Sequence, residues 1–212
     1  MSKTRKLVEC AIMVALATVL GLISLFVTGF LRLPYGGSVT LCGMLPVVLI
    51  GYRNGVKWGL LSGFVLGFMH LLFLGGVSDM KGISAATFAG SLMLDFFIAF
   101  ALLGLSGIFK TRINSAVSSF AVGTAFALSL RYLAHFISGV ILFSEYANWF
   151  FTEGDGKEYG GFILDRFSGF SLSVVYSLIY NGLYMIPEII ITTLAAFLIA
   201  KFAPKSIIIP EN

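Results

Sequence analysis

Long apolar runs separated by short polar breaks organise this chain. Six stretches, roughly 7–31, 38–53, 57–75, 86–109, 117–143 and 170–201, are dense in Leu, Ile, Val, Phe, Ala and Gly. A helix rising 1.5 Å per residue needs about 20 apolar residues to cross ~30 Å of hydrocarbon, and most of the runs reach that length. The second run is short and holds Pro46, which predicts a helix that is tilted or packed inside the bundle. One connection is long, about 144–169. It is polar and glycine-containing, yet carries Tyr146, Trp149, Phe150, Tyr159 and Phe162, so it reads either as a lid or as a plain surface loop.

The predicted fold class is an all-α integral membrane protein of six transmembrane helices. Residues 1–212 are expected to form a single membrane domain without a soluble appendage. The first run is longer than the h-region of a signal peptide and is expected to stay as a span. No internal repeat is visible, which argues against an inverted-repeat secondary transporter.

Composition agrees. The chain is 58% hydrophobic and 11% charged, with a mean hydropathy of +0.97, whereas a soluble domain carries about a quarter charged residues. The basic residues give orientation. Lys3, Arg5, Lys6, Arg53, Lys57, Lys110, Arg112, Lys201 and Lys205 share one side of a six-span arrangement, and Arg32, Lys81, Lys157 and Arg166 the other. Both termini are therefore expected in the cytoplasm, with 144–169 outside. The +4 net charge is a topology signal and gives no reason to invoke nucleic acid. Cys10 and Cys42 match no metal spacing and read as small core residues.

Gly59, Gly63 and Gly67 line one helical face, as do Ala11 and Ala15; such spacing lets another backbone approach closely. Packing within the chain explains the glycines on residues alone.

Catalytic and energy-coupling motifs are missing. The segment Gly104–Thr111 lacks the glycine that a phosphate loop needs just before its lysine, that position being Phe109. His70 and His135 lie on different spans without a metal pattern, and neither GxSxG nor HExxH occurs. No cofactor or metal is implied. What stands out is charge inside the apolar runs: Asp95, Arg131 and Glu188. An ionised side chain at the bilayer centre costs ~2.5–3.5 kcal/mol on insertion scales, so such residues face a pocket or a partner. Arg131 and Glu188 can pair at the midplane, leaving Asp95 as a net negative site; Arg131 can equally pair with Asp95.

Helical depth brings further groups to that site. Asp95 sits about nine residues into the fourth span, ~14 Å at helical rise. His135 and Tyr132 on the fifth span, and Tyr176 and Asn181 on the sixth, reach the same outer half. Tyr132, His135, Gly139 and Phe143 follow i, i+3, i+7, i+11 spacing, one helix face on which Gly139 leaves room for a ligand ring. One carboxylate, stacking rings and neutral hydrogen-bonding groups suit a flat heteroaromatic cation.

Four ordered motifs add a family resemblance: Pro34–Leu41 with Met44-Leu-Pro46, Leu94–Gly107, Arg131–Gly139 and Tyr176–Glu188. Together they cover nearly the whole chain and resemble the thiamine-specific S components of energy-coupling-factor (ECF) transporters. The resemblance implies a prokaryotic plasma-membrane binding subunit that captures thiamine and topples in the membrane. It implies a T subunit and two separate ATPases as partners, and no enzyme activity in the chain itself. Ala11 and Ala15 would then face the T subunit. The implied ligand positions are Asp95, Tyr132, His135, Gly139, Phe143, Tyr176 and Asn181. The chain departs from the pattern with Asp for Glu at 95, Phe for Trp at 143 and Phe96 where tyrosine is frequent; Tyr35 takes the place of a loop tryptophan. Shorter reach at 95 and 143 leaves a thiamine precursor such as hydroxymethylpyrimidine as an alternative ligand. An intramembrane enzyme using Asp95 and His135 lacks a nucleophile or metal, and a channel lacks a pore-lining repeat.

Overall fold

The computed structural model describes residues 2–28, 33 and 37–207. Six helices carry the architecture: α1 (Lys3–Thr28), α2 (Leu45–Asn54), α3 (Val56–Phe73), the composite α4 (Ala85–Phe109), α5 (Ala116–Leu142) and α6 (Gly169–Phe202). No strand occurs among the described residues. All but α2 are long and apolar enough to cross a membrane. Their outer faces stay apolar, with Ile12, Leu61, Ile141 and Leu194 exposed, as suits helices whose surroundings are hydrocarbon.

Serines start the helices where the chain leaves polar connections. Ser84 and Ser115 accept the backbone N–H groups of Thr87 and Ser118, and Ser168 with Ser171 forms a reciprocal capping box on α6.

The second helix differs from the expected 38–53. It has 10 residues, ~15 Å, and every residue from Pro46 to Tyr52 is buried. Residues 37–44 are not helical because their backbone bonds go elsewhere. The N–H of Thr40 donates to Glu188 Oε2 (2.7 Å) and that of Leu41 to Ser24 Oγ (2.8 Å), while Cys42 adopts φ 60°. The helix then opens with Pro46 in its first turn, where no donor is required. Cys42 thus lies in this segment and not in a helix core; Cys10 is buried in α1.

The 144–169 connection is neither an open lid nor a bare loop. Short helical pieces at Ser144–Tyr146, Ala147–Thr152, Lys157–Tyr159 and Gly160–Leu164 fold it into a cap. The cap buries Phe150, Phe151 and Ile163 against Tyr176, Tyr180 and Met185 of α6. A second apolar cluster, including Met44, Val48, Leu66, Leu103, Phe120, Leu128 and Ala196, is built from all six helices.

Candidate ligand-binding site

Asp95 sits in a stretch of α4 that is wound wider than an α-helix. Leu92–Ile98 forms a π-helix, continued by an α-turn at Ala99–Ala101 and a 3₁₀ segment at Leu102–Phe109. The wide turn inserts an extra residue and re-aims the side chains beyond it, a feature frequent at functional sites. Close backbone support comes from α3: a methyl group on Gly67 or Gly63 would collide with the carbonyl oxygens of Phe96 and Phe100.

From this turn Asp95 reaches α5. Its Oδ1 lies 2.9 Å from His135 Nδ1, and Oδ2 accepts from Ser91 Oγ and Ser138 Oγ, each at 2.6 Å. On the far side of the imidazole, Arg131 Nε donates to His135 Nε2 at 3.2 Å. Guanidinium has no acceptor, so Nε2 must offer its lone pair and the ring proton belongs on Nδ1, facing Asp95. The relay Arg131–His135–Asp95 therefore holds a neutral imidazole between two opposite charges. Arg131 also lies 4.1 Å from the centre of the Phe100 ring and contacts the Met44 sulfur.

Glu188 takes no part in this relay. It is fully buried and accepts from the N–H and hydroxyl of Thr40 (2.7 and 2.9 Å) and from Thr192 Oγ1 (3.0 Å). The expected alternatives for Arg131, Glu188 or Asp95, are thus both replaced: it makes no direct ion pair with either and reaches Asp95 through His135. Arg131 and Asp95 line the cavity and Glu188 does not, so the lining carries one guanidinium and one carboxylate.

An aromatic wall faces the relay. Tyr176, Tyr180 and Tyr184 follow i, i+4, i+8 spacing on α6, with successive ring centres 5.6 and 6.1 Å apart. Phe150 of the cap backs Tyr176 and Tyr180 at 5.4 and 5.9 Å, and the His135 ring meets Tyr184 edge-on at 5.9 Å. Asn181 locks α6 to α5. Its amide donates to the carbonyls of His135 (3.2 Å) and Ser177 (2.9 Å), and its oxygen accepts from Tyr184 Oη (2.7 Å).

Six of the expected ligand residues, Asp95, His135, Gly139, Phe143, Tyr176 and Asn181, line one cavity. Phe96 lines it too, where the resemblance has tyrosine. Tyr132 is not among the lining residues; its hydroxyl donates to the Leu178 carbonyl at 2.8 Å. The stripe that opens on the cavity near Phe143 is, one turn below His135, the contact between α5 and α6. Gly139 lines the cavity and also takes part in the contact between α5 and α6. The space over it belongs to Ser177 and Asn181, which an added methyl group would strike, so the glycine serves helix contact before ligand room. Tyr35 lies outside the described residues. Ala11 and Ala15 are exposed on α1 beside Ile12 and Leu16, away from the cavity.

Sequence reasoning passed over Ser91, Ser138, His70, Tyr180 and Tyr184, all of which line the cavity. The tyrosine triplet carried a readable four-residue spacing. Ser91 and Ser138 carried no signal, because nothing in one helix says that its serine meets an acid of another. Among the described residues no group of three or more His, Cys, Asp or Glu could hold a metal.

Comparison with known proteins gives a consistent answer. The family described as Thiamine transporter protein (Thia_YuaJ) matches residues 7–150. Thiamine transporter ThiT of Bacillus subtilis (strain 168) is 33% identical over 209 residues, 94% of this chain and 92% of the relative. ThiT of Lacticaseibacillus paracasei is 29% identical over 116 residues, 50% of this chain and 54% of the relative. The solved structure of ThiT from Listeria monocytogenes superposes with a TM-score of 0.70 at 20% identity, covering 98% of this chain and 99% of that one, and so shares its fold. With five apolar helices of spanning length, this is a multi-pass membrane protein, and the chain belongs to the Thia_YuaJ thiamine transporter family.

Proposed function

We propose that this protein is the substrate-binding (S) subunit of an ECF-type importer and captures thiamine. The supporting observation is the cavity itself, where a carboxylate of one helix meets a neutral histidine of the next, opposite a wall of tyrosines. Thiamine is a monocation made of two flat rings joined by a methylene, and Asp95 is the one carboxylate among the residues that line the cavity. Burying such an ion becomes favourable when a carboxylate and ring faces replace its water. Asp95, His135, Phe143, Tyr176 and Asn181 are the proposed ligand contacts, with Gly139 behind them. The names of the Bacillus and Lacticaseibacillus relatives favour thiamine over other heteroaromatic cations.

The proposed arrangement is one domain with both termini in the cytoplasm, consistent with the basic residues at Lys3, Arg5, Lys6, Lys201 and Lys205. The cavity then opens outward, under the 147–164 cap. Two separate ATPases and a T subunit would supply energy, the latter docking on the exposed face of α1 that carries Ala11 and Ala15. The test is calorimetry of the purified protein with thiamine and with its neutral hydroxymethylpyrimidine half. Saturable thiamine binding, tighter than the half-molecule, supports the reading. Preference for the half-molecule would reassign the ligand to a precursor, and heat from neither would end the proposal. Ala15→Trp should abolish co-purification with a T subunit while thiamine binding survives; loss of both would place this face inside the protein's own packing.

A further inference from the structure

Asp95 enters the cavity with most of its hydrogen-bonding capacity already used. Each carboxylate oxygen takes about two donors. Oδ2 has two, Ser91 and Ser138, and Oδ1 has the Nδ1–H of His135. Both serines are buried, at 3% and 1% exposure. Their choice of acceptor is informative. Elsewhere in this chain Thr18, Ser24, Thr124 and Ser129 donate to the carbonyl four residues back in their own helix. Ser91 and Ser138 forgo that carbonyl and turn to the acid, although they stand on two different helices.

We infer that Ser91 and Ser138 are positioning residues that make Asp95 selective for a cation whose charge is spread over a ring without N–H donors, and against a primary ammonium. An ammonium brings three N–H groups that need acceptors once water is gone, and Asp95 has about one lone-pair direction left for them. A quaternary ring cation has no such groups to strand. It gains the field of the carboxylate and the tyrosine faces without a direct hydrogen bond. The inference rests on the proposed thiamine reading for its ligand class, and its geometry stands on the serine contacts alone.

The test uses two half-molecules of equal size, neutral hydroxymethylpyrimidine and cationic aminomethylpyrimidine, with thiamine as the ring cation. In the wild-type protein the ammonium should bind no tighter than its neutral twin. Ser138→Ala frees one lone pair, so the ammonium should gain about fivefold over the neutral twin, roughly one hydrogen bond, while thiamine does not gain. Ser138→Thr keeps the hydroxyl and should keep the wild-type ratio. Ser91→Ala repeats the measurement at the other hydroxyl should Ser138→Ala not fold. An ammonium that binds the wild type tenfold tighter than its twin, or a ratio unmoved by both alanine variants, overturns the inference and leaves the thiamine reading standing. If no probe binds, the thiamine reading fails and the cradle is judged without ligand. The infrared band of the Asp95 carboxylate, identified by subtracting the Asp95→Asn spectrum, should move in Ser138→Ala and stay in Ser138→Thr. An unmoved band removes the serines from the role.

Discussion

The two ends of this bundle are held together by opposite means. Where α2 ends, α3 begins, α4 ends and α5 begins, the helices touch backbone to backbone. A methyl group on Gly59 would meet the Cα atoms of Gly51 and Gly104, one on Gly104 the backbone of Gly59 and Leu60, and one on Gly123 the carbonyl of Ser106. At the Asp95 end α3 still touches the backbone of α4 through Gly63 and Gly67, but α4, α5 and α6 are joined by side chains, through the Arg131–His135–Asp95 relay, the Asn181 contacts and the tyrosine ladder. Hydrocarbon offers no hydrophobic force between helices, so close contact and internal hydrogen bonds are the available means, and this protein separates them by depth. Backbone contact leaves no room for a guest, whereas side chains that reach across a gap can line one.

The comparison fails first, and with the largest effect, if the glycine end tolerates bulk. Gly104→Val should overpack the α3 backbone at Gly59 and Leu60 and cost about 3 kcal/mol or more, read as loss of folded, monodisperse protein after detergent extraction. Normal yield and melting temperature would mean that this end is as loose as the other. At the cavity end, Asp95→Asn should fold normally and weaken thiamine binding more than about tenfold, or ~1.4 kcal/mol, with a smaller loss for the neutral half-molecule. Equal losses for both ligands would take the charge role from Asp95.

Phe143→Ala should weaken thiamine by about tenfold, since both contact area and ring stacking are lost, while Phe143→Trp keeps or improves affinity through the better cation–π face. Unchanged affinity in Phe143→Ala would shift closure of the cavity to the cap. The smallest effect separates the two ends most finely. Tyr132→Phe removes the bond to the Leu178 carbonyl and should lower stability by about 1 kcal/mol, with thiamine affinity changed less than about twofold. A tenfold loss of affinity would return Tyr132 to the ligand set.

Much of the fold is legible as hydropathy, and the exceptions share one cause. The ends of α3, α5 and α6 fall within a residue or two of the apolar runs, because a span must bury its own backbone bonds wherever lipid surrounds it. The start of α2 departs from its apolar run because Glu188, far along the chain, takes the Thr40 N–H that a helix would have used. The cap at 144–169 leaves lid and surface loop equally open in the sequence because its helical pieces of six residues or fewer carry no period, and Phe150 is buried against the tyrosines of α6. The π-turn under Asp95 left no trace in residue spacing at all.

By itself the sequence determined a membrane bundle with Asp95 and His135 at one depth, since length, apolar runs and rise per residue set depth without reference to neighbours. Only the tertiary structure decided who holds whom: Arg131 on His135, Glu188 on Thr40, Ser91 and Ser138 on Asp95, and Tyr132 turned to α6. Depth is a property of one helix. A hydrogen-bond partner is fixed by the rotation of two helices against each other, which no single helix carries in its own sequence.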